Sequence, residues 1–130
     1  DGKVESKVTI MHLDVDNLTS RGKTASPYEI SSLMFKLYAK MSEFFLSKKA
    51  LSFFMGGDNF MVVANSNHRE SAEEFIDIIK NELGIELNCG IGTGKNARSA
   101  VKLATKSLDT IREIRDSGKE KPEIYELTWY

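Results

Sequence analysis

The chain is poor in the residues that staple or anchor a protein. It has one cysteine, Cys89, and two prolines in 130 residues. A lone cysteine closes no internal disulfide, which points away from a disulfide scaffold and toward a reducing, cytoplasmic setting. No apolar run approaches the ~18 residues that span a bilayer, so no membrane association is expected. Net charge is missing as well. Eighteen Lys and Arg stand against 19 Asp and Glu, for a formal charge of -1, and such a chain lacks the basic field that holds a nucleic-acid polymer. No repeat or low-complexity segment is present and no signal peptide is visible at the start, where Asp1-Gly2 in place of Met is compatible with a fragment or a processed chain. What is present is a 41% hydrophobic content, enough for one compact domain over residues 1–130.

Periodicity and capping residues divide that domain. Val8 to Asn17 reads as a strand running into Asp-x-Asp. Ser26-Pro27-Tyr28-Glu29 combines a capping-box spacing with proline at the first helical position, and Ile30, Leu33, Met34, Leu37, Tyr38, Met41, Phe44 and Phe45 follow at helical steps. Apolar runs on either side of Gly56-Gly57 predict a β-hairpin, because glycine accepts the positive φ of a tight reversal. Ser71-Ala72-Glu73-Glu74 predicts the start of a second helix that stops at Gly84. Ile85 to Ile91 alternates, with Leu87, Cys89 and Ile91 on one side and Glu86, Asn88 and Gly90 on the other, as in a strand with one polar face. Gly92 to Asn96 reads as a loop, Ala97 to about Gly118 as a third helix, and Glu123 to Leu127 as an edge strand.

The expected class is α+β: a split β-α-β-β-α-β pattern with an added C-terminal helix and helices on one face of an antiparallel sheet. The other face, carrying Val8, Ile10, His12 and Asp14, is expected to be open. The pairs Phe44-Phe45 and Phe53-Phe54 are assigned to the core, as is Cys89.

The chemistry-bearing residues sit at turns. Asp14 ends one strand and Asp58 tips the hairpin, and two acids on neighbouring strands repel unless a cation lies between them. That pairing suits Mg²⁺, a hard ion that combines a few carboxylates with substrate phosphate oxygens. Gly56 and Gly57 would let a nucleotide approach bare backbone, while Asn59 supplies a donor and an acceptor without charge. Gly94 and Lys95, at a helix start, fit phosphate binding, although a solvated lysine fits as well. Asp16 and Asn17 also suit an Asx turn.

Asp14-Val15-Asp16-Asn17, Gly56-Gly57-Asp58-Asn59 and Gly90-Ile91-Gly92-Thr93-Gly94-Lys95-Asn96-Ala97, in that order, resemble the palm-type domain of diguanylate cyclases, class III nucleotide cyclases and CRISPR polymerase subunits. Within that group the chain is most similar to the second half of archaeal GTP cyclohydrolase III, from Val8 to about Arg115. The resemblance implies a ferredoxin-like palm. It also implies that Asp14, the Val15 carbonyl and Asp58 hold Mg²⁺ against a nucleoside triphosphate, GTP above all, and that Asp16 or His12 moves protons. Asn17, Gly56, Gly57, Asn59, Gly94 and Lys95 are the nucleotide-binding candidates. The family joins two palm halves, so a homodimer or a second half is the expected partner, with Lys95 or the Ser20–Ser26 loop completing the neighbour's site. Two further functions stay open, a nucleotidyltransferase making a cyclic nucleotide or dinucleotide, and a catalytically silent nucleotide-binding palm.

Overall fold

A computed structural model of the chain describes residues 7–16, 26–64 and 68–129. Its elements are β1 (Val8–Asp16), α1 (Pro27–Ser47), β2 (Leu51–Gly56), β3 (Asn59–Ala64), α2 (His68–Leu83), β4 (Glu86–Gly94), α3 (Ala97–Asp116) and β5 (Ile124–Thr128). The strands form one sheet in the order β2-β3-β1-β4-β5, antiparallel except for the β4–β5 pair. This is the expected α+β class and palm order.

Local chemistry accounts for the boundaries. The Ser26 hydroxyl accepts from the Glu29 amide at 3.2 Å, satisfying one of the donors left free at the start of α1, and Pro27 occupies a position that needs no amide hydrogen. Asn96 and Ser99 cap α3 reciprocally, Asn96 Oδ1 accepting the Ser99 amide at 2.9 Å and Ser99 Oγ accepting the Asn96 amide at 3.3 Å. At the hairpin, Gly56 and Gly57 take φ of +100° and +59°, the left-handed values that only glycine accepts cheaply. Helix α2 begins at His68 rather than at the Ser71 capping box. Its first turn is tied across the molecule, with His68 Nε2 3.0 Å and Arg69 Nη1 3.3 Å from the Glu126 carboxylate of β5.

Alternation on β1 sends Met11, Leu13 and Val15 to one face. There they meet Phe60 and Val62 of β3, Leu87, Cys89 and Ile91 of β4, and the buried sides of α1 and α2 around Phe45 and Phe75. Each such apolar side chain contributes roughly 1.5–3 kcal/mol on burial.

The added helix departs from expectation. It lies on the opposite face, against Ile10, and covers β1, β4 and β5. Parallel β4 and β5 require a crossover, and α3 is that crossover. The close approach is made possible by Gly90, Gly92 and Gly94: a Cβ on Gly90 would stand 2.3 Å from the Ala104 carbonyl, and one on Gly92 2.2 Å from the Ala104 amide nitrogen. The expected loop at Gly92 is therefore strand, and the face bearing Val8, Ile10, His12 and Asp14 is covered by α3 over β1, β4 and β5. The part of that face left uncovered lies toward the β2–β3 edge. Phe53 and Phe54, assigned to the core from sequence, are 48% and 40% exposed on the edge strand β2, where Phe53, opposite Met61, lies on the α3 side of the sheet and Phe54, opposite Phe60, on the α1 side. Leu51 and Val63 are also exposed there. Phe54 still packs near Tyr38 and Phe60, at centroid distances of 5.7 and 5.4 Å.

Candidate active site

Asp14 and Asp16 lie two residues apart on the α3-facing side of β1, and both are buried. The cations that meet them come from α3. Arg112 donates to Asp14 Oδ2 through Nε at 3.0 Å and also through Nη2, while its Nη1 reaches Asp109 at 3.3 Å. One helical turn on, Arg115 Nη1 lies 3.1 Å from Asp16 Oδ1. Lys121 Nζ completes the second pair, 3.4 Å from Asp16 Oδ2 and 2.7 Å from Oδ1 of Asn88. Asn88, fully buried on β4, donates in turn to Asp16 Oδ1 at 3.4 Å.

The two carboxyls are displaced in opposite directions. Burial pushes the Asp14 carboxyl up; Arg112 and Asn88 pull it back, the nearby Asp58 charge adds to the rise, and the net displacement is upward. Burial also raises Asp16, but Arg115, Lys121 and Asn88 outweigh it and hold that carboxyl below the usual range. Asp14 Oδ1 is buried and has no hydrogen-bond partner among the described residues. An oxygen left in this state costs free energy unless something binds it.

Asp58 stands in the hairpin turn beside that oxygen's strand, since the β1–β3 ladder ends at the pair Asp14↔Asn59. Val15 lies just past the end of that ladder, beside the turn. Asn59 donates from Nδ2 to Asp58 Oδ1 at 3.2 Å, and its Oδ1 is 3.1 Å from His12 Nε2. The structure thus gathers His12, Asp14, Val15, Asp16, Gly56, Gly57, Asp58 and Asn59 at one end of the sheet. Next to Gly57, an apolar cavity of about 460 Å³ is lined by Pro27, Ile30, Met34, Phe35 and Phe54.

Gly94 and Lys95 are not brought to this end. Gly94 pairs with Val8 whereas Asn88 pairs with Asp14, a separation of six strand residues or ~20 Å. Lys95 instead sets its ammonium 4.2 Å from the centre of the Trp129 ring. Asn17 and residues 20–25 lie outside the described residues. Cys89 is a buried core residue whose thiol burial pushes far up, which removes it as a nucleophile. Among the described residues no three His, Cys, Asp or Glu side chains converge as a metal cage, and no helix is long and apolar enough to cross a membrane.

Arg112, Arg115, Lys121 and Asn88 were not singled out from sequence as site residues. A signal was available: Asp14 and Asp16 at i, i+2 share a strand face ~7 Å apart, and Arg112 and Arg115 at i, i+3 share a helix face at ~5 Å rise, spacings that fit each other.

A strand-end acid facing a Gly-Gly-Asp hairpin, on a sheet of this order, defines a palm-type domain. Solved structures agree on the fold. A microbial GGDEF domain described with cyclic di-GMP superposes with a TM-score of 0.69 at 14% identity, over 93% of this chain and 79% of its own. The GGEEF domain of a Vibrio cholerae diguanylate cyclase gives 0.61 at 15%, over 96% and 84%. Sequence is more specific than fold here: the GTP cyclohydrolase III family model matches residues 1–123, and the chain belongs to that family. GTP cyclohydrolase III of Methanocaldococcus jannaschii is 38% identical over 113 residues, covering 84% of this chain and 41% of the relative. That of Methanococcus maripaludis is 34% identical over 121 residues, covering 92% and 44%. The Saccharolobus islandicus protein is 32% identical over 122 residues, covering 94% and 50%. The chain therefore spans about half the length of the curated relatives it matches.

Proposed function

We propose that this palm domain is one half of a Mg²⁺-dependent GTP cyclohydrolase III-type enzyme. In this reading it hydrolytically opens the imidazole ring of GTP and releases phosphate, yielding a formylaminopyrimidine nucleotide monophosphate. The observation that carries the reading is the buried Asp14 Oδ1, unpartnered among the described residues and close to Asp58: the oxygen donors there suit an ion that takes its remaining ligands from phosphate and water. Asp14, Asp58 and the Val15 carbonyl would hold Mg²⁺. Bound there, the ion would polarise phosphate oxygens and lower the pKa of a coordinated water.

The chain's own residues divide the remaining work. Arg112 balances the Asp14 charge from the side away from the free oxygen. Gly56 and Gly57, with no Cβ, leave room for phosphates to approach the backbone. The cavity beside Gly57 is apolar and large enough for a purine. Asp16, held ionised by Arg115 and Lys121, is a weak proton acceptor and serves better as an anchor for the C-terminal end of α3. Pairing with a second palm, as a homodimer or with another half, belongs to the same proposal. The surface free for it is the β2–β3 edge with Leu51, Phe53 and Val63, on the same face of the sheet as α3 but outside the part that α3 covers. Light scattering with and without nucleotide tests it, and a monomer that is fully active on dilution would contradict it.

The fold likeness to cyclases supports a second reading, nucleotidyl transfer to a cyclic product. Incubation with each nucleoside triphosphate and Mg²⁺, with products resolved by mass, separates the readings. A hydrated GTP-derived monophosphate is expected; a cyclic nucleotide would favour transfer, and unchanged substrate a silent palm.

A further inference from the structure

A hydrogen-bonded row runs across three elements of this site: Thr105 of α3, His12 of β1, Asn59 of β3 and Asp58 in the turn. Its polarity follows from chemistry. An ionised Asp58 can only accept, so the Asn59 atom facing it at 3.2 Å is the amide nitrogen, and the atom turned toward His12 is the amide oxygen. An amide oxygen can only accept, so His12 carries its proton on Nε2. At Nδ1 the ring meets the Thr105 hydroxyl at 3.3 Å, a group that can donate or accept. From Asp58 to His12 Nε2 each member leaves the next a single orientation.

The strand register explains why a histidine occupies this position. His12 pairs across the ladder with Met61, so Asn59 is its diagonal neighbour on the same face. A diagonal neighbour is reached by a long or ring side chain and not by a short one. Asp58 itself sits in a turn next to two glycines of positive φ, and the Asn59 amide is the hydrogen-bond donor that the structure sets on its carboxylate at 3.2 Å.

We propose that His12 is a positioning residue: acting through Asn59, it fixes the rotamer of the Asp58 carboxylate so that the hairpin acid faces Asp14. This rests on the reading of Asp14 and Asp58 as a divalent-ion pair. It assigns His12 a role other than proton transfer, because both ring nitrogens are already committed. The relay needs an Nε2 donor and nothing that only an imidazole offers. Glutamine places its amide nitrogen the same number of bonds from Cα as His Nε2, so it should restore the function while removing the base.

Mn²⁺ binding to the nucleotide-free 130-residue chain, followed by electron paramagnetic resonance, tests this without reference to turnover. His12→Leu and Asn59→Ala are each expected to weaken Mn²⁺ binding by about tenfold, the lower end of what loss of a residue supporting a ligand costs. His12→Gln is expected to remain within about threefold of wild type, and Asp58→Asn to lose most binding. If Asp58→Asn binds Mn²⁺ like wild type, the ion-pair reading fails and the proposal with it. If Asp58→Asn loses binding while Asn59→Ala does not, or His12→Gln is as weak as His12→Leu, the positioning role alone is overturned. Should His12→Leu not fold by circular dichroism, Asn59→Ala and His12→Gln still decide.

Discussion

Gly92→Ala offers a direct probe of how α3 delivers its arginines to the site. The new Cβ would lie 2.2 Å from the Ala104 nitrogen, 2.3 Å from the Ala100 carbonyl oxygen and 2.7 Å from the Leu103 carbonyl carbon. All three are backbone atoms of one helix, so no side-chain rotation relieves the overlap, and α3 must retreat by ~1 Å to regain ordinary contact. Overpacking of this kind costs about 1–3 kcal/mol, a fall in Tm of roughly 3–15 °C for a domain of this size. The retreat also pulls Arg112 away from Asp14, where Nε now stands at 3.0 Å, so divalent-ion binding should change along with stability. Gly57→Ala is the control: its φ is +59° but nothing lies within 4 Å of the added carbon, so only backbone strain of ~1–2 kcal/mol applies. Thermal melts followed by circular dichroism report both variants. A Gly92→Ala protein melting within a degree of wild type would refute the seating of α3 on β4.

Other outcomes follow from the same geometry. Gly57→Val should weaken binding of a fluorescent GTP analogue by more than its Tm loss explains, since a β-branched residue resists positive φ and fills the space above the hairpin; undiminished affinity would remove the hairpin from the site. Asp16 has a folded-state pKa below its unfolded value, so its contribution to stability is complete above about pH 4 and is lost as pH falls through the folded value. Arg115→Gln removes the strongest of the interactions lowering that pKa, and the acid-unfolding midpoint should move to higher pH; an unchanged midpoint would show that the pair contributes nothing.

What could be read from the residues was whatever local periodicity and capping chemistry encode. Ser26-Pro27 starts α1 as expected, and Gly56-Gly57 turns the hairpin. Asp58 falls in that turn, and the long-range β1–β3 ladder ends at Asp14↔Asn59, one residue from it. The placement of α3 was not legible, because the faces of β4 differ by glycine on one side and apolar residues on the other, and glycine alternation looks like a weak polar face until a helix is seen resting on it. Phe53 and Phe54 carry the composition of a core strand, and nothing local says that β2 ends at the sheet edge. The helix-borne arginines escaped notice for a related reason: Arg112 lies 98 positions from Asp14, and only the crossover brings them together.

The most direct measurement is the Mg²⁺ dependence of GTP binding in the wild-type chain and in Asp14→Asn and Asp58→Asn, by titration with a fluorescent GTP analogue at fixed and zero Mg²⁺. Each substitution removes a charge on which the proposed ion site relies and changes little volume. The expected result is that Mg²⁺ tightens binding to wild type by tenfold or more while neither variant responds to the ion. Mg²⁺-dependent binding that survives in either variant would contradict the assignment of these two acids as the site's metal-holding pair.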